Sequence, residues 1–127
     1  MWWNSYVGIK FAPQGRTREG CDCAGLACLV YREQLKRNID RDMGYYNALD
    51  CLQTSELLQE CLKPWMPVEI PEDFDLVQLR IFGEPCHVGI ICDGGKGVLN
   101  VRSGVNAIIE RLEDWLPHVE GYWRLPC

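Results

Sequence analysis

The spacing of hydrophobic positions changes character near the middle of this chain. Between residues 23 and 38, apolar side chains recur at intervals of three and four, which predicts an amphipathic helix. A second helix is predicted near residues 55–62, with Ser55 or Thr54 as its N-cap. Beyond Pro71 the apolar positions follow a period of two, which indicates β-strands. Helices first and strands afterwards predict an α+β fold, with N-terminal helices packed on an antiparallel sheet of about five strands.

Short turns separate the predicted strands. Residues 83–85 (Gly-Glu-Pro) form one predicted turn, and residues 93–96 (Asp-Gly-Gly-Lys) are typical of a tight hairpin. We expect a single domain over residues 1–127, mainly helical in 1–73 and mainly β-stranded in 74–127. The predicted strands cover residues 76–82, 86–92, 98–102, 105–112 and 119–124.

Composition narrows the class of protein. With 127 residues, 47% hydrophobic and 24% charged, the chain is long enough to build its own core. A net charge of −5 without a lysine or arginine run argues against nucleic-acid binding. No apolar run approaches membrane-spanning length. The N-terminus has no basic segment followed by an apolar one, so we expect cytoplasmic synthesis without a signal peptide.

Two polar segments carry residues that can either pack or bind. Arg16 and Arg18 lie in a loop before the first helix, where solvated side chains are favoured over contacts with an acidic substrate. Residues 40–44 predict a turn. Tyr45 and Tyr46 follow it and could line a cleft, although aromatic residues in a loop more often pack.

Eight cysteines are a high number for this length. In a small secreted protein they would indicate a disulfide framework. Here the core is large enough without covalent links and no export signal is visible, so we expect mostly reduced thiols. The intervals between the cysteines do not match the paired two-residue gaps of zinc ribbons. No metal or cofactor is therefore predicted.

One cysteine lies where a glycine-containing polar loop gives way to the apolar helix, in residues 20–26 (Gly-Cys-Asp-Cys-Ala-Gly-Leu). Asp22 is the expected N-cap and Cys23 falls in the first turn. Free N–H groups and the helix dipole favour an anion there, which lowers a thiol pKa. Cys23 is therefore the predicted nucleophile. Gly25 costs helix propensity, and the close approach of another backbone would account for it.

The predicted hairpin brings a histidine and an asparagine together. A turn centred between Gly94 and Gly95 pairs Gly89 with Asn100, so that His87 and Asn100 share a face as diagonal neighbours. His87 is the predicted base for Cys23, and Asn100 would orient its imidazole. The alternative is an ordinary strand histidine, which composition alone would favour.

Three short motifs, taken together, resemble those of a known enzyme family. Residues 20–26, residues 85–90 (Pro-Cys-His-Val-Gly-Ile) and residues 98–100 (Val-Leu-Asn) are similar to the NlpC-type cell-wall peptidases, a papain-like cysteine hydrolase family. The resemblance covers nearly the whole chain, and the order and spacing of the first two motifs are specific. The segments that resemble the phage tail branch of this family are 6–11, 15–16, 29–33, 109–112 and 121–124.

The resemblance implies a helical half that carries the nucleophile, packed on a sheet that carries the base. Family members typically cleave peptidoglycan stem peptides, often at the bond from D-glutamate to the diamino acid. Peptidoglycan would then be the substrate, other phage tail-tip proteins would be the partners, and the virion tail the location. We also assign Tyr6, Asp22 and Arg102 as candidate substrate-binding residues.

Two positions depart from the family pattern. The third site residue is usually histidine and here is Asn100, whose amide can still make one hydrogen bond to an imidazole. Residues 74–75 are Phe-Asp where the family usually has Gly-Asp, which we interpret as a structural turn position.

Three functions remain open from the sequence. The first is an active peptidoglycan hydrolase delivered with a phage tail. The second is a structural tail-tip protein that keeps the fold with reduced or no catalysis. The third is another acyl transfer, because the three site residues define the chemistry and leave the acyl group undefined.

Overall fold

The computed structural model describes residues 1–40 and 46–126, in which two long helices precede an antiparallel sheet. The predicted α+β fold is confirmed. The helices are α1 (Cys23–Gln34), α2 (Cys51–Cys61) and the short α3 (Leu112–Trp115), with 3₁₀ turns at Trp2–Tyr6 and Leu116–His118. The strands are β1 (Arg16–Thr17), β2 (Gly20–Cys21), β3 (Met66–Val68), β4 (Leu76–Ile81), β5 (Glu84–Cys92), β6 (Gly97–Arg102), β7 (Val105–Arg111) and β8 (Val119–Arg124).

The main sheet has six strands in the order β3–β8–β4–β5–β6–β7, with antiparallel neighbours. The strand missing from the sequence prediction is β3, at the sheet edge, where Pro67 pairs with Trp123 of β8. A proline is tolerated there because no further strand needs its missing N–H. A three-residue strand around a proline carries no period of its own, so only the pairing with β8 reveals it.

Both long helices differ from their predicted bounds. The first ends at Gln34 instead of residue 38, because Lys36 takes a positive φ of 56° that ends the helical path. The second begins at Cys51, and its N-cap is Asp50, whose carboxylate accepts from the Gln53 N–H at 3.1 Å. The prediction of Thr54 or Ser55 as the cap is therefore wrong. Residues 41–45, with Asp42, Gly44 and Tyr45 of the predicted turn and cleft, lie outside the described residues.

Packing of α1 against the sheet sets the position of the candidate nucleophile. Every residue from Cys23 to Tyr31 is buried, and the helix lies on β5 and β6. A helix that is apolar on nearly all sides is buried in the core, and this packing places its N-terminus against β5. The sequence predicted the helix but not this enclosure, which also uses the stacked rings of Trp2 and Phe74, 4.4 Å apart.

Two tight hairpins define the register of the central strands. The β4–β5 turn consists of Phe82 and Gly83, both with positive φ, so β5 begins at Glu84, inside the predicted turn. In the β5–β6 hairpin, Cys92 pairs with Gly97, as predicted. The face assignment of the side chains on these two strands is therefore confirmed.

One pair of cysteines is oxidised. Cys51, the first residue of α2, forms a disulfide with Cys86 of β5. The two residues lie 35 positions apart and meet because α2 packs against β5. The expectation of mostly reduced thiols allows for this one pair, whose contact is created by tertiary packing and leaves no local pattern in the sequence.

Candidate active site

Cys23 and His87 line the same cavity, which has a volume of about 420 Å³. Cys23 is the first residue of α1, and His87 lies on β5 beneath it. The backbone N–H of Val88, the residue after His87, is directed toward the Cys23 sulfur and lowers the pKa of its thiol. The fold therefore brings together the predicted nucleophile and the predicted base.

The Cys23 thiol is protonated at neutral pH in this environment. Cys23 is only 8% exposed to solvent. Burial, first, and the neighbouring Asp22 carboxylate raise the pKa of the thiol to about 12. Hydrogen bonds from the N–H groups of Val88 and Ala24 act in the opposite direction and are outweighed. The expectation of a lowered pKa is wrong, because desolvation of the thiolate exceeds the effect of the helix N-terminus.

The His87 imidazole is neutral for a similar reason. Burial lowers its pKa from 6.5 to about 4, and the hydrogen bond with Asn100 opposes this only in part. Its Nε2 lies 3.0 Å from Oδ1 of Asn100. The ring also packs near Trp115, with centroids 5.9 Å apart. A neutral imidazole can accept a proton, which a general base requires.

Gly89 lies against β6 between the positions of His87 and Asn100. A Cβ at this glycine would lie 2.5 Å from Cγ1 of Val98 and 3.2 Å from the carbonyl oxygen of Leu99, and at an ordinary contact distance of 3.4 Å from Cβ of Asn100. A side chain there would therefore crowd β6, first at Val98. The role of Gly89 in leaving room for the His87–Asn100 contact stays a prediction.

Four donors surround the carboxylate of Asp22, which is buried at the N-terminus of α1. It accepts from the Gly25 N–H at 2.7 Å and from the Gln14 N–H at 2.8 Å. It also accepts from the Arg16 guanidinium at 3.1 Å and from the Tyr46 hydroxyl at 2.6 Å. The predicted N-cap is confirmed. With its oxygens occupied by the protein's own donors, Asp22 holds the helix start in place.

The loop before α1 is packed tightly against the helix. Arg16 pairs with Asp22, so the interpretation of Arg16 as a solvated loop residue is wrong. The short β1–β2 ribbon that carries Arg16 was also missed by the sequence analysis. At Gly25 a Cβ would overlap the carbonyl oxygen of Gly15, which is the backbone approach that the sequence predicted.

The remaining candidates for substrate binding are placed differently. Tyr6 is fully buried, donates to Glu33 at 2.8 Å and is not among the residues that line the cavity. Arg102 does line it, at the end of β6. Tyr46 both lines the cavity and packs against Asp22, so it has the cleft-lining role and the packing role that the sequence allowed.

Further residues around the site were not identified from the sequence. Asn100 is bonded to Arg102 and to Glu110 of β7, and Trp115 of α3 completes this network. No sequence signal identified Glu110, because an irregularity between Asn100 and Arg102 shifts the β6–β7 register; only the resulting pairing of Asn100 with Ile108 puts position 110 on the Asn100 face. The Cys51–Cys86 disulfide also borders the cavity.

Solved structures resemble this fold over almost its whole length. The NlpC/p60 domain of the peptidoglycan hydrolase SagA superposes with a TM-score of 0.66 at 19% identity, covering 98% of this chain and 93% of that one. A protein described as similar to a lipoprotein, of the NLP/P60 family from Staphylococcus aureus, gives a TM-score of 0.68 at 16% identity. That match covers 99% of this chain and 39% of the longer protein.

No protein-family model matches the sequence, and the search of curated proteins likewise gives no match. The likeness is therefore one of fold: this chain has the fold of NlpC/p60 domains. Within the described residues, no helix is long and apolar enough to cross a membrane. Residues 1–40 and 46–126 likewise contain no group of three His, Cys, Asp or Glu side chains arranged to hold a metal ion.

Proposed function

We propose that this protein is a cysteine peptidase that cleaves peptidoglycan stem peptides, built as a single hydrolase domain. Cys23 is the nucleophile, His87 the general base and Asn100 the residue that orients His87. The observation that carries the proposal is that His87, which is hydrogen-bonded to the buried Asn100, lines the same cavity as Cys23. The fold shared with NlpC/p60 domains supports peptidoglycan as the substrate.

The partners of Asn100 decide which nitrogen of His87 carries the proton. Oδ1 of Asn100 accepts from the Arg102 guanidinium at 2.9 Å, and a guanidinium can only donate. The amide oxygen therefore also faces His87, so Nε2 must be the protonated nitrogen. The lone pair on Nδ1 is then available to the thiol.

The reaction follows from these two neutral groups. When a substrate carbonyl binds, the Cys23 thiol gives its proton to Nδ1 of His87 as the sulfur attacks the carbonyl carbon. The imidazolium then returns a proton to the leaving amine, and the C–N bond breaks. Water, deprotonated by His87, hydrolyses the thioester and restores the thiol.

A role in a phage tail extends the proposal. It is supported by the sequence segments that resemble the phage tail branch, including residues 109–112 and 121–124. In this setting the enzyme would open the cell wall locally from the virion tail, with other tail-tip proteins as partners.

A second candidate is a structural tail-tip protein with reduced or no catalysis. It is favoured by one observation, the burial of Cys23 together with a thiol pKa of about 12. A buried, protonated thiol is a weak nucleophile until a base takes its proton.

Zymography on purified bacterial cell walls distinguishes the two candidates. We expect clearing by the wild-type protein and none by Cys23→Ala or His87→Ala. Cys61→Ala is the matched control, because Cys61 does not line this cavity. If the reduced wild-type protein clears no more than Cys23→Ala, the peptidase proposal is wrong.

A further inference from the structure

Glu110 receives three hydrogen bonds from residues that surround the candidate site. Its Oε1 accepts from Nδ2 of Asn100 and from Nη1 of Arg102, each at 3.0 Å, and from Nε1 of Trp115 at 3.4 Å. The strand pairing explains this position. Ile108 lies opposite Asn100, so Glu110 is the next residue of β7 on the same face.

The contacts of Glu110 hold the Asn100 side chain in one orientation. Nδ2 of Asn100 donates to Glu110, and Oδ1 accepts from Arg102. A rotation of the amide by 180° would direct its oxygen at the Glu110 carboxylate and its NH₂ group at the Arg102 guanidinium. Two acceptors would then face each other at Glu110 and two donors at Arg102, so the flipped amide is disfavoured at each end.

We propose that Glu110 is a positioning residue that fixes the Asn100 amide and, through it, the tautomer of His87 with the proton on Nε2. The catalytic consequence rests on the proposed peptidase function. Glu110 does not contact the reacting atoms and acts on the imidazole only through Asn100.

The charge of Glu110 gives the inference a second measurable consequence. Glu110 favours the protonated imidazole, whereas Arg102 disfavours it. Removal of the carboxylate charge should therefore lower the pKa of His87 further. The ring is hydrogen-bonded to Asn100, packs near Trp115 of α3 and belongs to a residue opposite Leu79 on β4. The titratable and charged groups that face it are Cys23, which lines the same cavity, Arg102 and Glu110.

The ion pair with Arg102 alone does not account for this arrangement. Glu110 and Arg102 are 28% and 33% exposed at their side chains, and an exposed pair contributes little to stability. The pKa of Glu110 is lowered because the bonds from Arg102 and Asn100 outweigh the burial that would raise it. The carboxylate is thus ionised and able to accept from the amide at neutral pH.

The test compares Glu110→Gln with Glu120→Gln. The control removes a carboxylate that also pairs with an arginine, Arg80 at 3.1 Å, but lies at a separate cleft on β8. The first measurement is ¹⁵N NMR of the His87 ring in each reduced protein, which reports the tautomer without any activity. The second is the pH dependence of kcat and KM on a soluble peptidoglycan stem peptide.

We expect wild-type protein and Glu120→Gln to show the proton on Nε2 alone, and Glu110→Gln to show both tautomers. The kcat of Glu110→Gln should fall about tenfold with KM unchanged, as is usual when an outer hydrogen-bond partner is lost. The acid limb of its kcat/KM profile should move to lower pH. Glu110→Asp keeps the charge, so it should retain the acid limb of the wild-type protein.

The two ways of failing are distinct. If His87 keeps one tautomer in Glu110→Gln, the positioning role is wrong whatever the activity. If the wild-type protein cleaves no stem peptide while the tautomer still depends on Glu110, the peptidase function fails and the positioning of His87 stands. If Glu110→Gln does not fold, Arg102→Met tests the other end of the amide, with the same mixture of tautomers expected.

Discussion

The two sides of the cavity are each held by a carboxylate, but in different ways. On the helix side, Asp22 is 1% exposed and accepts from four donors that belong to the loop before α1 and to the helix itself. On the sheet side, Glu110 is partly exposed and bonds to residues that contact His87. A fully buried, saturated carboxylate builds the fold, whereas a partly solvated one can adjust a neighbouring side chain at little cost in stability.

Substitution of the helix-side carboxylate should have the largest effect. Asp22→Ala removes the cap of α1 and also removes the buried carboxylate that pairs with the Arg16 guanidinium. We expect a loss of about 3–5 kcal/mol in the free energy of unfolding, measured by urea denaturation. Asp50→Ala removes only the cap of α2 and should cost about 1 kcal/mol. Equal losses would show that the buried network adds nothing to capping.

The disulfide between Cys51 and Cys86 joins the helical half to the strand of His87, so its loss should affect both sides. The closed loop of 35 residues predicts a loss of about 3–4 kcal/mol in the double variant Cys51→Ser, Cys86→Ser. Reduction of the disulfide in the wild-type protein, monitored by thermal melting at increasing reductant concentration, should produce the same loss of stability. A double variant as stable as the oxidised protein would contradict the bridge.

Asn100 should affect turnover more than folding. Asn100→Ala removes the group that orients the imidazole, so kcat should fall on the order of 10²-fold, while the circular dichroism spectrum and Cys23 labelling change little. Asn100→His, which restores the usual family residue, should keep or raise activity. Full activity of Asn100→Ala would show that His87 needs no partner on β6.

Acid should destabilise the sheet side through His87. The pKa of His87 is about 4 in the folded protein and 6.5 for an ordinary histidine, which is the value expected in the unfolded chain. The unfolded chain therefore takes up a proton first as the pH falls. Stability is therefore complete above about pH 6.5 and is lost toward pH 4, by about 2 kcal/mol between pH 7 and pH 5. His87→Gln should flatten this part of the profile of unfolding free energy. An unchanged slope would mean that His87 is already solvated.

The smallest expected effect is a difference in reactivity between two of the thiols. Cys23 borders the cavity and Cys21 is fully buried, so a limiting alkylating agent should label Cys23 before Cys21. With a thiol pKa of about 12, the labelling rate should rise about tenfold per pH unit from pH 7 to 9. Mass spectrometry follows both sites. A plateau below pH 8 would indicate a thiolate already stabilised by His87, and first labelling of Cys21 would mean that the cavity is closed.

Local patterns were sufficient for the elements that carry the candidate site. The spacing of Leu26, Leu29 and Val30 predicts α1, and Asp22 before it predicts the cap. The glycines at 94 and 95 set the register that puts Asn100 beside His87. These features depend on residues that are close in sequence or related by a short turn, so chain chemistry alone determines them.

Only the tertiary structure decided the rest, because long-range packing leaves no periodic trace in the sequence. The edge strand β3 and the Cys51–Cys86 bridge join residues that meet only after the sheet closes. The bonds of Glu110 depend on the register shift between Asn100 and Arg102, which the turn alone does not predict. The thiol pKa is the clearest case. A helix N-terminus read from the sequence predicts a lowered value, and the enclosure of Cys23 by β5 reverses the sign, since desolvation is a property of the packed molecule.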